Sequence, residues 1–127
     1  MTQSLNLSKF ASYIDSTGAA RQTPRAASTA SSATITPTID IDDQYSVTAL
    51  AAEATIEAPT GTPLDGQRLT LRIKDNGTAR ALTWNAIYRK VGVTLPTTTT
   101  ANKLTYVGFI YNSADTKWDV VSVAQEA

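Results

Sequence analysis

The chain contains no cysteine and no histidine. Their absence removes disulfide frameworks, thiol nucleophiles, imidazole bases and nearly every zinc, copper or haem site. A net field is missing too: 11 basic and 11 acidic residues cancel, so the molecule as a whole attracts neither nucleic acid nor an anionic membrane. No apolar run approaches the roughly 20 residues that span a bilayer, and the N-terminus does not follow the charged-then-apolar order of a signal peptide. The expectation is a soluble, non-exported chain with no cofactor, no nucleic-acid partner and no membrane partner. Large apolar side chains are also sparse. Of the 42% hydrophobic residues many are alanines, which bury little area compared with Leu, Ile or Phe. At 127 residues the chain suits one thin two-layer domain.

What is present changes character near residue 32. Residues 1–18 carry Leu5, Leu7, Phe10, Tyr13 and Ile14. Leu7, Phe10, Ala11 and Ile14 fall at helical spacing, enough for one short helix that needs something to pack against. Residues 18–32 turn to Ala, Ser, Thr, Gln and Arg around Pro24, with Arg21 and Arg25 as their cations. Such a stretch reads as a linker or an extended arm that becomes ordered on another subunit. The expected division is an arm over residues 1–31 and a β-domain over residues 32–127.

Beyond residue 32 threonine is abundant, and its β-branched side chain favours strands. The clearest strand is residues 67–74, where Leu69, Leu71 and Ile73 alternate with Arg68, Thr70, Arg72 and Lys74. Asp75-Asn76-Gly77 follows and predicts a tight hairpin with a return strand over residues 79–85. Shorter strands are expected over residues 33–36, 44–50 and 54–58, with a bend over residues 49–54 and an irregular stretch over residues 87–93. Residues 104–112 and 116–124 form a second hairpin, with Gly108 marking a bulge or a close approach. About seven short strands with frequent turns predict an all-β fold, an antiparallel sandwich or small barrel.

Chemistry is hard to find. Asp40, Asp42 and Asp43 could offer oxygen ligands to a hard cation, but they lack the glycine and distal glutamate of a calcium loop, and a solvated turn is the better reading. No carboxylate pair among Glu53, Glu57, Asp65, Asp75, Asp115 and Asp119 stands out for glycoside hydrolysis, and no phosphate loop or nucleophile elbow occurs. Trp84, Trp118, Tyr88, Tyr106 and Tyr111 could stack on sugars, as in a carbohydrate-binding module. With so few large apolar residues they serve better as core or interface anchors. Arg68, Arg72, Lys74, Arg80 and Arg89 make a basic outer face, read first as a solvated sheet face and, with Glu53 and Glu57 elsewhere, as a means to set register between identical subunits. The subunit-interface or surface-aromatic candidates are Trp84, Tyr88, Arg72 and Trp118.

The stretch Gly-Gln-Arg-Leu-Thr-Leu-Arg-Ile-Lys-Asp-Asn-Gly-Thr-Ala-Arg-Ala-Leu-Thr-Trp (residues 66–84) resembles a sequence of structural proteins of tailed bacteriophages. Residues 85–88, 93–99, 106–112 and 117–120 extend the resemblance, which covers roughly residues 32–127. It implies a small non-enzymatic β-domain of the decoration or tail-fibre type, located in the virion and commonly trimeric. The expected partners are the major capsid protein or a tail protein. The attachment residues expected on the arm are Leu5, Leu7, Phe10, Tyr13, Ile14, Arg21 and Arg25.

Overall fold

The computed structural model describes residues 24–127. The arm residues Leu5, Leu7, Phe10, Tyr13, Ile14 and Arg21, and the expected short helix, lie outside the described residues. Within them the fold is all-β, with nine strands: β1 (Ala26–Thr29), β2 (Thr34–Ile35), β3 (Gln44–Leu50), β4 (Ala54–Ile56), β5 (Arg68–Asp75), β6 (Leu82–Trp84), β7 (Tyr88–Lys90), β8 (Leu104–Asn112) and β9 (Lys117–Gln125). They form a six-stranded sheet in the order β1-β3-β5-β8-β9-β7 and a three-stranded sheet in the order β2-β4-β6.

The first six strands alternate between the two sheets, and each pairs in parallel with the strand two before it. The chain thus winds as a coil of three rungs, crossing between sheets at every turn. Parallel neighbours need a crossover, usually a helix; here a strand of the opposite sheet supplies it. The antiparallel sandwich expected from the sequence is therefore corrected to a mixed arrangement, with antiparallel pairing confined to β5–β8 and β8–β9 within the named ladders.

Three local expectations change as well. Asp75-Asn76-Gly77 does not close a hairpin: β5 pairs with β3 and β8, whereas the return strand β6 lies in the other sheet. The turn is a corner, with Gly77 at φ 102°. The stretch expected to be irregular contains β7, which pairs in parallel with β9. β1 lies within the segment read as arm, so the six-stranded sheet begins before residue 32.

The alternation in β5 is as the residue types dictate: Leu69, Leu71 and Ile73 are buried and Arg68, Thr70, Arg72 and Lys74 face outward. The C-terminal hairpin also forms, with a register shift between Gly108 and Phe109. A Cβ on Gly108 would press on the Ser122 hydroxyl, which would have to turn away to admit it. Ile35, Ile56, Leu50, Val107, Phe109 and Trp118 lie in the buried core. Tyr88 and Phe109 rings lie 4.8 Å apart, and Tyr111 and Trp118 rings 5.0 Å apart, both in tilted geometry.

Candidate interaction surface

The side chains that β pairing sends outward from the six-stranded sheet form three cross-strand rows. One runs Ser28, Ser46, Arg72, Tyr106, Ala124; the next runs Ala26, Gln44, Thr70, Gly108, Ser122. A third joins Arg68, Ile110, Asp119 and Arg89. Small residues end the first two rows and Gly108 lies in the second, so Arg72 and Tyr106 stand out between them.

These two side chains are held in place. Arg72 donates from Nε to Ser46 Oγ at 3.2 Å and from Nη1 to the Tyr106 hydroxyl at 3.4 Å, with its guanidinium 5.9 Å from the Tyr106 ring centroid. Gln44 Nε2 donates to the same Ser46 oxygen. Cation–π contact and hydrogen bonding fix a planar cation beside an aromatic ring that remains 37% exposed. Tyr and Arg arranged this way are the residue types that anchor protein interfaces. At the β7 end of the sheet, Arg89 forks onto Asp119 at 2.6 and 3.0 Å and reaches Asp115 at 3.0 Å. The guanidinium holds the Asp119 carboxyl below the usual range.

A second feature lies where the turn after β2 meets the loop before β5. Arg25 grips Asp43 through two bonds of 2.5 and 2.9 Å and donates to the Asp40 carbonyl at 2.7 Å. Its hydrogen bonds keep the Asp43 carboxyl below its ordinary pKa. Asp40 accepts the Thr62 amide at 3.0 Å, and Asp42 the Thr38 amide at 3.1 Å. The acidic triplet is thus engaged in holding its own turn, and among the described residues no group of three acidic side chains is placed to hold a metal ion. Beside it is a cleft of about 440 Å³ lined by Arg25, Asp40, Leu64, Asp65 and Gln67 among others. Ile41 and Leu64 stand exposed at this end of the molecule.

The remaining candidates separate by burial. Arg25 is exposed and Arg72 half-buried. Trp118 and Tyr88 are buried core residues, 1% and 5% exposed, and neither is a surface aromatic or a stacking platform. The Tyr88 hydroxyl donates to the Glu57 carbonyl at 2.9 Å, and burial pushes its pKa up. Trp84 is half-buried: its ring meets Tyr88 edge-on, and its Nε1 donates to the Pro96 carbonyl at 2.7 Å. Among the described residues the exposed aromatic is Tyr106, one of the five aromatics with stacking potential in the sequence. Its position one residue before the inward Val107, and opposite the outward Arg72, is the signal that locates it. No protein-family model, curated protein or solved structure matches the chain.

Proposed function

We propose that the chain is a non-catalytic structural subunit of a tailed-bacteriophage virion, a capsid-decorating protein that self-associates through its β-domain and attaches to the shell through its N-terminal segment. The observation that carries the adhesive reading is the division of its aromatics. Trp118, Tyr88 and Phe109 seal the core, while a positioned Arg72–Tyr106 pair remains on the outer sheet face. The virion context rests on the resemblance across residues 66–84. The attachment role is tested by deleting residues 1–23, which leaves all nine strands intact. The truncated chain keeps its fold by circular dichroism and does not join particles; full incorporation would count against the attachment role. Deletion through residue 31 is a poorer test, because it also removes β1 from the sheet.

A second reading, a tail or tail-fibre component, is favoured by the three-rung coil. A coil of parallel rungs is extended by stacking further rungs along one axis, the geometry of an elongated appendage. Copies per particle distinguish the two: shell decoration requires many, a tail component few.

A further inference from the structure

Arginine grips carboxylate in one repeated way in this fold. Arg25 holds Asp43 and Arg89 holds Asp119 side-on, each donating from Nε to one carboxylate oxygen and from Nη2 to the other. Arg80 presents the same two donors at the corner after β5, but to an amide. Its Nη2 donates to Asn76 Oδ1 at 3.1 Å, while its Nε is buried and has no hydrogen-bond partner among the described residues. A carboxamide has one acceptor oxygen and fills its second place with an NH₂ donor, so it cannot take both donors of the fork. A buried donor left in that state is costly.

Asn76 is also the asparagine best placed to change. Of the chain's asparagines, Asn6, Asn76, Asn85, Asn102 and Asn112, it alone is followed by glycine, whose lack of a side chain leaves its amide nitrogen open to approach the carboxamide carbon. Asn76 is exposed and lies beyond the end of β5. The Arg80 guanidinium rests on the carboxamide oxygen, where negative charge collects when that carbon is attacked. A restraint is the hydrogen bond that the Gly77 amide donates to Asp75 Oδ1 at 3.0 Å. Attack by the Gly77 nitrogen therefore waits on local opening of the corner, which makes the step slow.

We infer that Asn76 is a self-modification site, converted to aspartate through a cyclic imide with Gly77, and that Arg80 receives the product. The Gly77 nitrogen bonds to Asn76 Cγ, the Cγ–Nδ2 bond breaks, and ammonia leaves with the proton that the Gly77 amide gives up. Water then adds to Cγ and breaks the new Cγ–N bond, which restores the Gly77 N–H and leaves a side-chain carboxylate. Water attacking the main-chain carbonyl instead gives the isoaspartyl linkage, which adds a methylene to the backbone of the corner. Because Arg80 sits on the Cγ oxygen, it stabilises the oxyanion of addition at Cγ and directs opening toward aspartate. In that product the second side-chain atom is an acceptor in place of the NH₂, so Nε and Nη2 are both satisfied, as in the Arg25 and Arg89 pairs. The adjacent Asp75 carboxylate opposes the new charge, and Arg80, whose charge already acts on Asp75, offsets it. Water is the one co-reactant.

The test uses the full chain, held at mildly alkaline pH and sampled over weeks by intact mass and by peptide mapping that separates aspartyl from isoaspartyl residues. In the folded chain Asn76 converts before the other asparagines, and the aspartyl form is the major product. In urea the isoaspartyl form is the major product. Arg80→Lys keeps the charge but removes the fork, and lowers the aspartyl-to-isoaspartyl ratio of the folded chain about two- to five-fold, the range of an exposed ion pair. Asn76→Asp supplies the product directly, whatever the rate of conversion. In denaturant titrations its effect on the folding constant is about two- to five-fold more favourable in the wild-type chain than in the Arg80→Lys background. An Asn76 that stays intact in the folded chain while the unfolded chain converts, an isoaspartyl majority in the folded chain, or a mutant cycle without coupling overturns the inference. None of these outcomes bears on where the chain assembles, which is measured separately.

Discussion

Asp75 is the side chain whose removal reports most sharply on how the coil is closed. It lies at the end of β5, 3% exposed, where the chain leaves one sheet for the other. Its carboxylate accepts the Thr99 hydroxyl at 2.6 Å, the Asn102 amide at 2.8 Å and the Gly77 amide at 3.0 Å. One side chain therefore ties the corner after β5 to the segment that leads into β8. Asp75→Ala strands three donors, each costing about 1–3 kcal/mol if water cannot replace the lost acceptor. Water entering the space left behind recovers part of this, so the expected loss is about 3–5 kcal/mol, a large fraction of the roughly 5–15 kcal/mol that holds a typical domain. Asp75→Asn keeps one acceptor oxygen for the two amides but sets an NH₂ against Thr99. Because the Thr99 oxygen already accepts the Arg80 amide at 2.8 Å, it can accept again only by leaving its own proton unpartnered, and the loss is about 1–2 kcal/mol. The pH dependence has a definite sign. Burial pushes the Asp75 pKa upward, but the Thr99, Asn102 and Gly77 hydrogen bonds and the Arg80 charge together bring it below the ordinary value. The unfolded chain takes up the proton first, near pH 3.9. The stabilisation is therefore complete above about pH 5 and is lost as pH falls through the lower folded value, so the gap between wild type and Asp75→Asn narrows below about pH 4. Urea titration followed by tryptophan fluorescence at several pH values measures both quantities. An Asp75→Ala variant within 1 kcal/mol of wild type, or a gap that widens on acidification, would refute the reasoning.

Other substitutions test the packing and the surface separately. Trp118→Ala empties the buried ring site and costs about 3–5 kcal/mol in denaturant titrations, whereas the half-buried Trp84 costs less. Gly108→Ala drives a Cβ into Ser122 Oγ and destabilises by about 1–3 kcal/mol; pairing it with Ser122→Gly recovers most of that loss, a result that a purely conformational effect of Gly108 would not give. At Gly61, φ 104°, a Cβ would lie 2.7 Å from the Asp40 carboxylate, so Gly61→Ala lowers the melting temperature through both strain and clash. Tyr106→Ser changes stability by less than about 1 kcal/mol, yet reduces co-assembly into particles in competition with wild type.

The parts of this fold that were legible in the sequence are those fixed by side-chain alternation. Leu69, Leu71 and Ile73 declare one buried face, and the aromatic and β-branched runs around Gly108 declare the hairpin whose bulge the glycine accommodates. What alternation does not encode is which sheet receives the next strand. Asp75-Asn76-Gly77 specifies a sharp change of direction, and the same dipeptide chemistry serves a hairpin or a corner between sheets. Short strands separated by Pro37 and Pro59 are likewise common to antiparallel meanders and to parallel coils; the difference lies in pairing between residues some twenty positions apart. The interaction surface was read through residue type, which favours tryptophan, whereas burial decides it. Trp118 sits on the inward parity of β9 and Tyr106 on the outward parity of β8, so strand parity rather than aromatic size separates core from surface. Asp75 was legible only as part of a turn, because nothing local announces that residues 99 and 102 will close over it.

The proposal that this chain works by adhering within a virion is tested most directly by quantitative mass spectrometry of purified particles of a phage shown to encode it, with copies of the chain counted against the major shell protein. Shell decoration predicts hundreds of copies, and the tail reading about a dozen. Absence of the chain from mature, infectious particles would contradict both.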